Sequence, residues 1–232
     1  MPTLNDVTSW MQSVMRLGRG YIAGGHLKEP EQLLELYEFE GCPFCRKVRE
    51  VFSELDLDYI AHESPRGSAN RDKLSALGGK AQFPYLIDPN TGTSMYESEA
   101  IITYLMNTYG KGRGPGRVLA PLNTFGSALT SAVRRRGARA VAGTESRSND
   151  AIALELWNFE ASPYCRKVRE ALCELNLDYR VHNVAKKSVH RPALVALGGK
   201  MQVPYLVDHK NGVAMYESDE IVAYLRKTYA SA

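Results

Sequence analysis

Cys42 and Cys45 stand three positions apart in the stretch FEGCPFCRKVRE, residues 39–50. A thiol reacts as its thiolate, so the question is what would ionise one of them. Pro43 suits the first position of a helix. Cys42 would then sit at the helix start, where unpaired backbone N–H groups and the helix dipole favour an anion and lower its pKa. Arg46, Lys47 and Arg49 add positive charge in the next turn, with some of them expected to face solvent. Cys45 lies one turn on, near enough to attack a mixed disulfide formed at Cys42. Thiol–disulfide exchange is the chemistry this spacing fits best. A metal site needs four ligands, usually two such pairs, and the chain has no second Cys-x-x-Cys or matching Cys/His pair. Simple packing is the bland alternative, since free cysteine is often buried.

The same stretch returns as FEASPYCRKVRE at residues 159–170, with Ser162 in place of the leading cysteine. A shift of 120 residues aligns 33–109 with 153–229 without a gap, and 41 of the 77 pairs are identical. The chain is a duplication. Each copy reads as a short apolar strand, a helix from the proline, and a second strand (LDYIAH or LDYRVH). A short helix closed by Gly-Gly, a hairpin and a last helix beginning at Ser98 or Ser218 follow. The order β-α-β-α-β-β-α implies an α/β fold, with parallel pairing in the first β-α-β unit and antiparallel strands from the hairpin.

This division gives domains at 33–110 and 153–230, joined by a connector at 111–152. Val7, Trp10, Met11, Val14 and Met15 form an apolar stripe before the first copy. Phe125, Leu129, Ala132 and Val133 form a weaker one before the second, so each domain is expected to open with a short helix. The connector holds 8 Lys+Arg against 2 Asp+Glu, centred on Arg134, Arg135 and Arg136. A basic run of this kind reads first as a solvated helical linker, and no nucleic-acid partner is expected. No apolar run reaches the length of a membrane span, and the first 30 residues lack an apolar core with a cleavage site. Four cysteines in 232 residues, three of them in the repeated motif, are too few for a disulfide framework, so a reducing cytoplasm is expected.

A second repeated signal is GGKAQFPYLID and GGKMQVPYLVD, each followed after the hairpin by MYES. With it the sequence resembles two copies of the thioredoxin-like N-terminal domain of glutathione S-transferases, close also to glutaredoxins. The resemblance covers both copies and implies two tandem thioredoxin-like domains with glutathione as co-substrate. It implies a cis peptide before Pro84 and Pro204, so that the backbone of Phe83 and Val203 pairs with the cysteinyl part of glutathione. Glu97 with Ser98, and Glu217 with Ser218, match the pair that grips the γ-glutamyl end; a carboxylate suits an ammonium and a helix-start serine suits a carboxylate. Lys80 and Lys200 are matched to the glycine carboxylate.

Two departures from that family matter. The larger helical domain that normally follows is replaced by a second thioredoxin-like copy, which argues against ordinary conjugation of hydrophobic electrophiles. Ser162 resembles the serine of transferases that hydrogen-bond the glutathione thiolate, whereas CPFC resembles glutaredoxins and cysteine-type transferases. The reading favoured is a glutathione-dependent oxidoreductase for disulfides of proteins or small molecules. In it Cys42 is the nucleophile, Cys45 the resolving thiol, and the second domain a noncovalent glutathione site or a structural partner. Two alternatives stand beside it: an atypical glutathione transferase or isomerase using Ser162 or Cys42, and a non-enzymatic module that binds glutathione or an iron–sulfur cluster.

Overall fold

The structure is a computed structural model that describes residues 19–110, 137–145 and 152–230. The first copy runs β1 (Leu34–Glu38), α1 (Pro43–Leu55), β2 (Tyr59–Glu63), α2 (Asn70–Gly78), β3 (Tyr85–Asp88), β4 (Thr93–Tyr96) and α3 (Ser98–Thr108). The second runs β5 (Leu154–Asn158), α4 (Pro163–Glu174), β6 (Tyr179–Asn183), α5 (Arg191–Gly198), β7 (Tyr205–Asp208), β8 (Val213–Met215) and α6 (Ser218–Tyr229). Within each copy the first two strands are parallel and the hairpin is antiparallel, as the β-α-β reading requires. The apolar stripes at Val7–Met15 and Phe125–Val133, and Arg134 to Arg136, lie outside the described residues.

The copies do not form two separate sheets. Strand β2 pairs antiparallel with β6, through Tyr59↔Val181, Ile60↔Arg180 and Ala61↔Tyr179. One eight-stranded sheet results, in the order β4-β3-β1-β2-β6-β5-β7-β8. A lone copy would leave β2 as an open edge with unpaired backbone groups, and each copy closes the other's edge. One core cluster is continuous across this seam: Phe52, Leu57 and Tyr59 belong to it together with Leu172, Leu177 and Tyr179.

Charge is buried along the same seam. Arg49 pairs with Glu38 and Glu40 of its own copy and with Glu160 of the other, at 3.0 Å to Glu40 and 2.9 Å to Glu160. Arg169 pairs with Glu40 and Glu160, both at 3.0 Å. Lys47 is buried as well and reaches Glu99 at 2.7 Å. The expectation that some of Arg46, Lys47 and Arg49 face solvent is therefore wrong: all three are buried. Their partners lie far along the chain, Glu160 of the other copy for Arg49 and Glu99 at the start of α3 for Lys47, so no local pattern marks these charges as buried.

Beside this cluster, Asp178 accepts from Glu63 N and Asn70 Nδ2 at 3.0 and 2.9 Å, and its Oδ2 lies 2.6 Å from His62 Nδ1. Asp58 makes the mirror-image set with Asn183 N at 2.9 Å, His182 at 2.6 Å and His190 at 3.2 Å. The segments ahead of each copy also cross over. Ile22 bridges Lys186 of the second copy, and Arg139 bridges Arg66 of the first. The described part of the connector, 137–145, is turn and extended chain with no helix.

Candidate functional site

Cys42 is the N-cap of α1, extended at φ −83 and ψ 120, and its Sγ accepts the Cys45 N–H at 3.3 Å. Its pKa is lowered. The hydrogen bond from the Cys45 thiol contributes most; burial works against it, and the backbone N–H groups of Cys45 and Phe44 and the Arg49 charge assist. Cys45 is fully buried, and burial followed by its bond and proximity to Cys42 pushes its own thiol well above the ordinary value. The pair is thus unequal: ionisation is favoured at Cys42 and disfavoured at Cys45.

Ser162 occupies the equivalent cap of α4 at φ −72 and ψ 120, with Oγ accepting Cys165 N–H at 3.3 Å. Oxygen replaces sulfur with no change in the cap. Cys165 is fully buried, and burial raises its pKa.

The sheet brings the remaining sequence-predicted residues to the same end as each cap. β1 runs toward Cys42, and its Tyr37 pairs with Tyr85, the first residue of antiparallel β3. Pro84 therefore stands beside the start of α1. Tyr85 in turn pairs with Tyr96, the last residue of β4, after which come Glu97 and Ser98. The Phe83–Pro84 and Val203–Pro204 peptides are both cis. Glu97 and Glu217, not the serines, are the N-cap residues, held at left-handed φ of 70 and 68. Ser98 and Ser218 are the buried first residues of α3 and α6. A positive φ in a residue with a side chain is strained and clusters at functional positions.

Lys80 Nζ lies 4.7 Å from the Tyr96 ring centre, and Lys200 Nζ 4.5 Å from that of Tyr216. Phe83 meets Phe39 edge to face at 5.7 Å, and the Arg71 guanidinium lies 4.8 Å from the Phe83 ring centre. With Val203 the second site lacks that ring.

Some residues of this end escaped the sequence reading. Gln82 and Gln202 donate to Glu97 and Glu217 at 2.5 and 2.6 Å. Tyr96 and Tyr216 donate to the carbonyls of Lys80 and Lys200 at 2.7 and 3.0 Å. All four are identical between the copies, which was the available signal. Because β2 and β6 are antiparallel, β1 and β5 point in opposite directions. The Cys42 and Ser162 sites consequently open at opposite ends of the sheet, about 14 Å apart across it on strand spacing alone.

Comparison with known proteins decides the family. The chain matches "Glutathione S-transferase, N-terminal domain" over residues 36–115 and again over 156–232. The chain belongs to the glutathione S-transferase N-terminal domain family. A curated relative, the glutathione S-transferase-like protein tpcF of Aspergillus fumigatus, is 31% identical over 70 residues, 30% of this chain and 31% of that protein. Among solved structures, the trimeric glutathione transferase TDR1 of Leishmania matches at a TM-score of 0.31 and 15% identity, over 85% of this chain and 67% of that one. Both glutathione S-transferase N-terminal domains of the chain carry the cis proline and the Glu-Ser pair. Only the first carries a cysteine at its helix cap. Among the described residues no group of three or more His, Cys, Asp or Glu side chains is arranged to hold a metal ion, and no helix is long and apolar enough to cross a membrane.

Proposed function

We propose that the chain is a glutathione-dependent thiol–disulfide oxidoreductase whose reaction takes place at Cys42. The observation that carries this reading is the unequal pair: Cys42 caps a helix with its Sγ on the Cys45 N–H and its pKa lowered, and Cys45 is buried behind it with its pKa raised. In the reaction, the Cys42 thiolate attacks the glutathione sulfur of a mixed disulfide. The substrate thiolate leaves and takes up a proton, and a Cys42–glutathione disulfide remains. A second glutathione, as its thiolate, attacks the glutathionyl sulfur, releasing oxidised glutathione and restoring the Cys42 thiolate. One glutathione thiol is oxidised for each mixed disulfide reduced, and the other half of the oxidised glutathione comes from that disulfide. Cys45 can displace glutathione instead and close a Cys42–Cys45 disulfide, a branch that burial disfavours by raising the Cys45 pKa.

In this reading Glu97 meets the ammonium of the γ-glutamyl group and the start of α3 at Ser98 meets its carboxylate. The backbone of Phe83 beside Pro84 pairs with the cysteinyl unit, and Lys80 meets the glycine carboxylate. Lys200, Val203, Pro204, Glu217 and Ser218 do the same in the second domain, where glutathione binds without forming a disulfide. The cytoplasm, where glutathione keeps thiols reduced, is the compartment this chemistry requires. A second reading, conjugation or isomerisation with Ser162 stabilising the glutathione thiolate, is favoured by the identical cap geometry of Ser162. The test compares turnover of a glutathione mixed disulfide with that of a chlorinated aromatic electrophile, each with glutathione. Disulfide reduction lost in Cys42→Ser supports the oxidoreductase; electrophile turnover lost in Ser162→Ala makes the transferase the primary reading.

A further inference from the structure

Besides Arg49 of its own copy, at 3.0 Å from Glu40, the residues that hold the Cys42 loop come from the other domain and the segment leading into it. Glu40, two residues before the cap, receives Arg169 Nε at 3.0 Å and Nη2 at 3.3 Å from α4. The backbone N–H of Glu40 donates to Cys173 Sγ at 3.4 Å, also on α4. The next backbone N–H, that of Gly41, donates to the carbonyl of Gly137 at 3.3 Å, in the segment that leads into the second domain. Cys173 Sγ closes the set by donating to that same carbonyl at 3.1 Å. Gly137 is held at φ 69, and a Cβ there would stand 2.8 Å from Glu40 Cβ, so only glycine lets the segment approach.

The arrangement is reciprocal. Glu160, two residues before Ser162, receives Arg49 Nε at 2.9 Å, and its backbone N–H donates to Ser53 Oγ at 3.1 Å. Ser53 and Cys173 are equivalent positions of the two copies. We propose that Arg169 and Cys173 of the second domain are positioning residues for the first: they hold Glu40 and Gly41 so that Cys42 Sγ lies on the Cys45 N–H. The inference rests on the reading of Cys42 as the nucleophile. It gives the serine-bearing copy a task that needs no leading thiol of its own. The physical basis is the short lever between clamp and sulfur. Within the first copy Cys42 N–H donates to Phe39 C=O and Cys42 C=O accepts from Arg46 N–H, bonds that close a turn and start α1 without anchoring the loop to the sheet. Displacing a reacting atom by about 1 Å can cost 10²-fold in rate, so a loosened loop would be felt at Cys42.

Position 53 supplies the control, because serine there already makes the bond to the opposite loop. The experiment measures the rate of Cys42 alkylation by iodoacetamide against pH, with peptide mass mapping to assign the site. It uses the full chain with Cys173→Ala, Cys173→Ser, Arg169→Lys and Ser53→Ala. Urea unfolding of each variant separates folding from positioning. Cys173→Ala should slow Cys42 alkylation several-fold near neutral pH and move its midpoint upward, with Cys173→Ser within about twofold of the parent. Arg169→Lys, which keeps the charge and loses the paired contact to Glu40, should behave like Cys173→Ala. Ser53→Ala, which loosens the Ser162 loop, should leave the Cys42 profile unchanged. Parental profiles in folded Cys173→Ala and Arg169→Lys would overturn the proposal; should Cys173→Ala not fold, Arg169→Lys alone decides. Alkylation needs no glutathione turnover, so a chain that shifts as expected yet reduces no disulfide would refute the oxidoreductase and leave the positioning intact.

Discussion

Sulfur and oxygen occupy the same cap in the two copies, and the surrounding bonds scarcely notice the exchange. Cys42→Ser should therefore fold, with a change in unfolding free energy below about 1 kcal/mol in urea, since serine is a good cap. Its reduction of a glutathione mixed disulfide should fall below about a hundredth of the parent rate, because no thiolate replaces the nucleophile. Cys45→Ser should keep the route that passes through the Cys42–glutathione disulfide. Full activity in Cys42→Ser would move the nucleophile elsewhere. Oxidised glutathione should modify the first domain alone, as the adduct at Cys42 or the Cys42–Cys45 disulfide that follows. Cys165 is fully buried with a raised pKa. A glutathionylated peptide containing Cys165 in mass mapping would contradict this.

Helix ends govern the next level of organisation. α2 ends at Gly78, and a Cβ at that position would stand 2.1 Å from Tyr96 Oη. The hydroxyl is itself committed to the Lys80 carbonyl at 2.7 Å. Glycine is thus needed for the close approach of α2 to β4, and the same contact recurs at Gly198 and Tyr216. Gly78→Ala should destabilise the chain by about 1–3 kcal/mol in urea, the usual cost of overpacking. Adding Tyr96→Phe should recover part of the loss by removing the oxygen in the way. If the double variant is no more stable than Gly78→Ala alone, the clash is not the cause.

Across the full chain, the β2–β6 seam and its buried ions tie the copies into one unit. Urea unfolding should accordingly show a single transition with coincident fluorescence and far-ultraviolet signals, whereas two resolved steps would mean that the copies melt independently. The seam also sets a pH dependence. Burial disfavours protonation of His62, but its bonds to Asp178 and Glu35 outweigh that and raise its pKa to about 9. His190, bonded chiefly to Asp58, is likewise raised to about 9. The raised values belong to the folded chain, so this stabilisation is complete below about pH 6.5 and is lost as pH rises through about 9. For His62 it amounts to at most about 3 kcal/mol. Stability should fall between pH 6.5 and 9.5, and His62→Gln should show roughly half the parental drop. An undiminished drop in that variant would remove His62 from the account.

Much of this protein is written locally in its sequence. The helix from Pro43 to Leu55, the hairpins and the cap at Cys42 follow from proline, glycine turns and hydrophobic spacing, which act over a few residues. The duplication made every element legible twice, and the Pro84 and Glu97 motifs marked the end of the sheet where the site lies. In the first strand Leu34 and Leu36 share the buried face, with Glu35 between them on the opposite one. What the sequence could not disclose was where one copy meets the other. Pairing of Ile60 with Arg180 joins residues 120 apart, and no local pattern distinguishes a strand that will be an edge from one that will be closed. Arg49 was among the charges expected to include solvent-facing ones, because a carboxylate two residues before the opposite cap becomes its partner only when the sheets fuse; Arg169 is held by Glu40 in the same way. Local preferences wrote the elements, and the tertiary structure alone decided that each copy holds the other's cap, since ion pairing at that seam depends on distance in space.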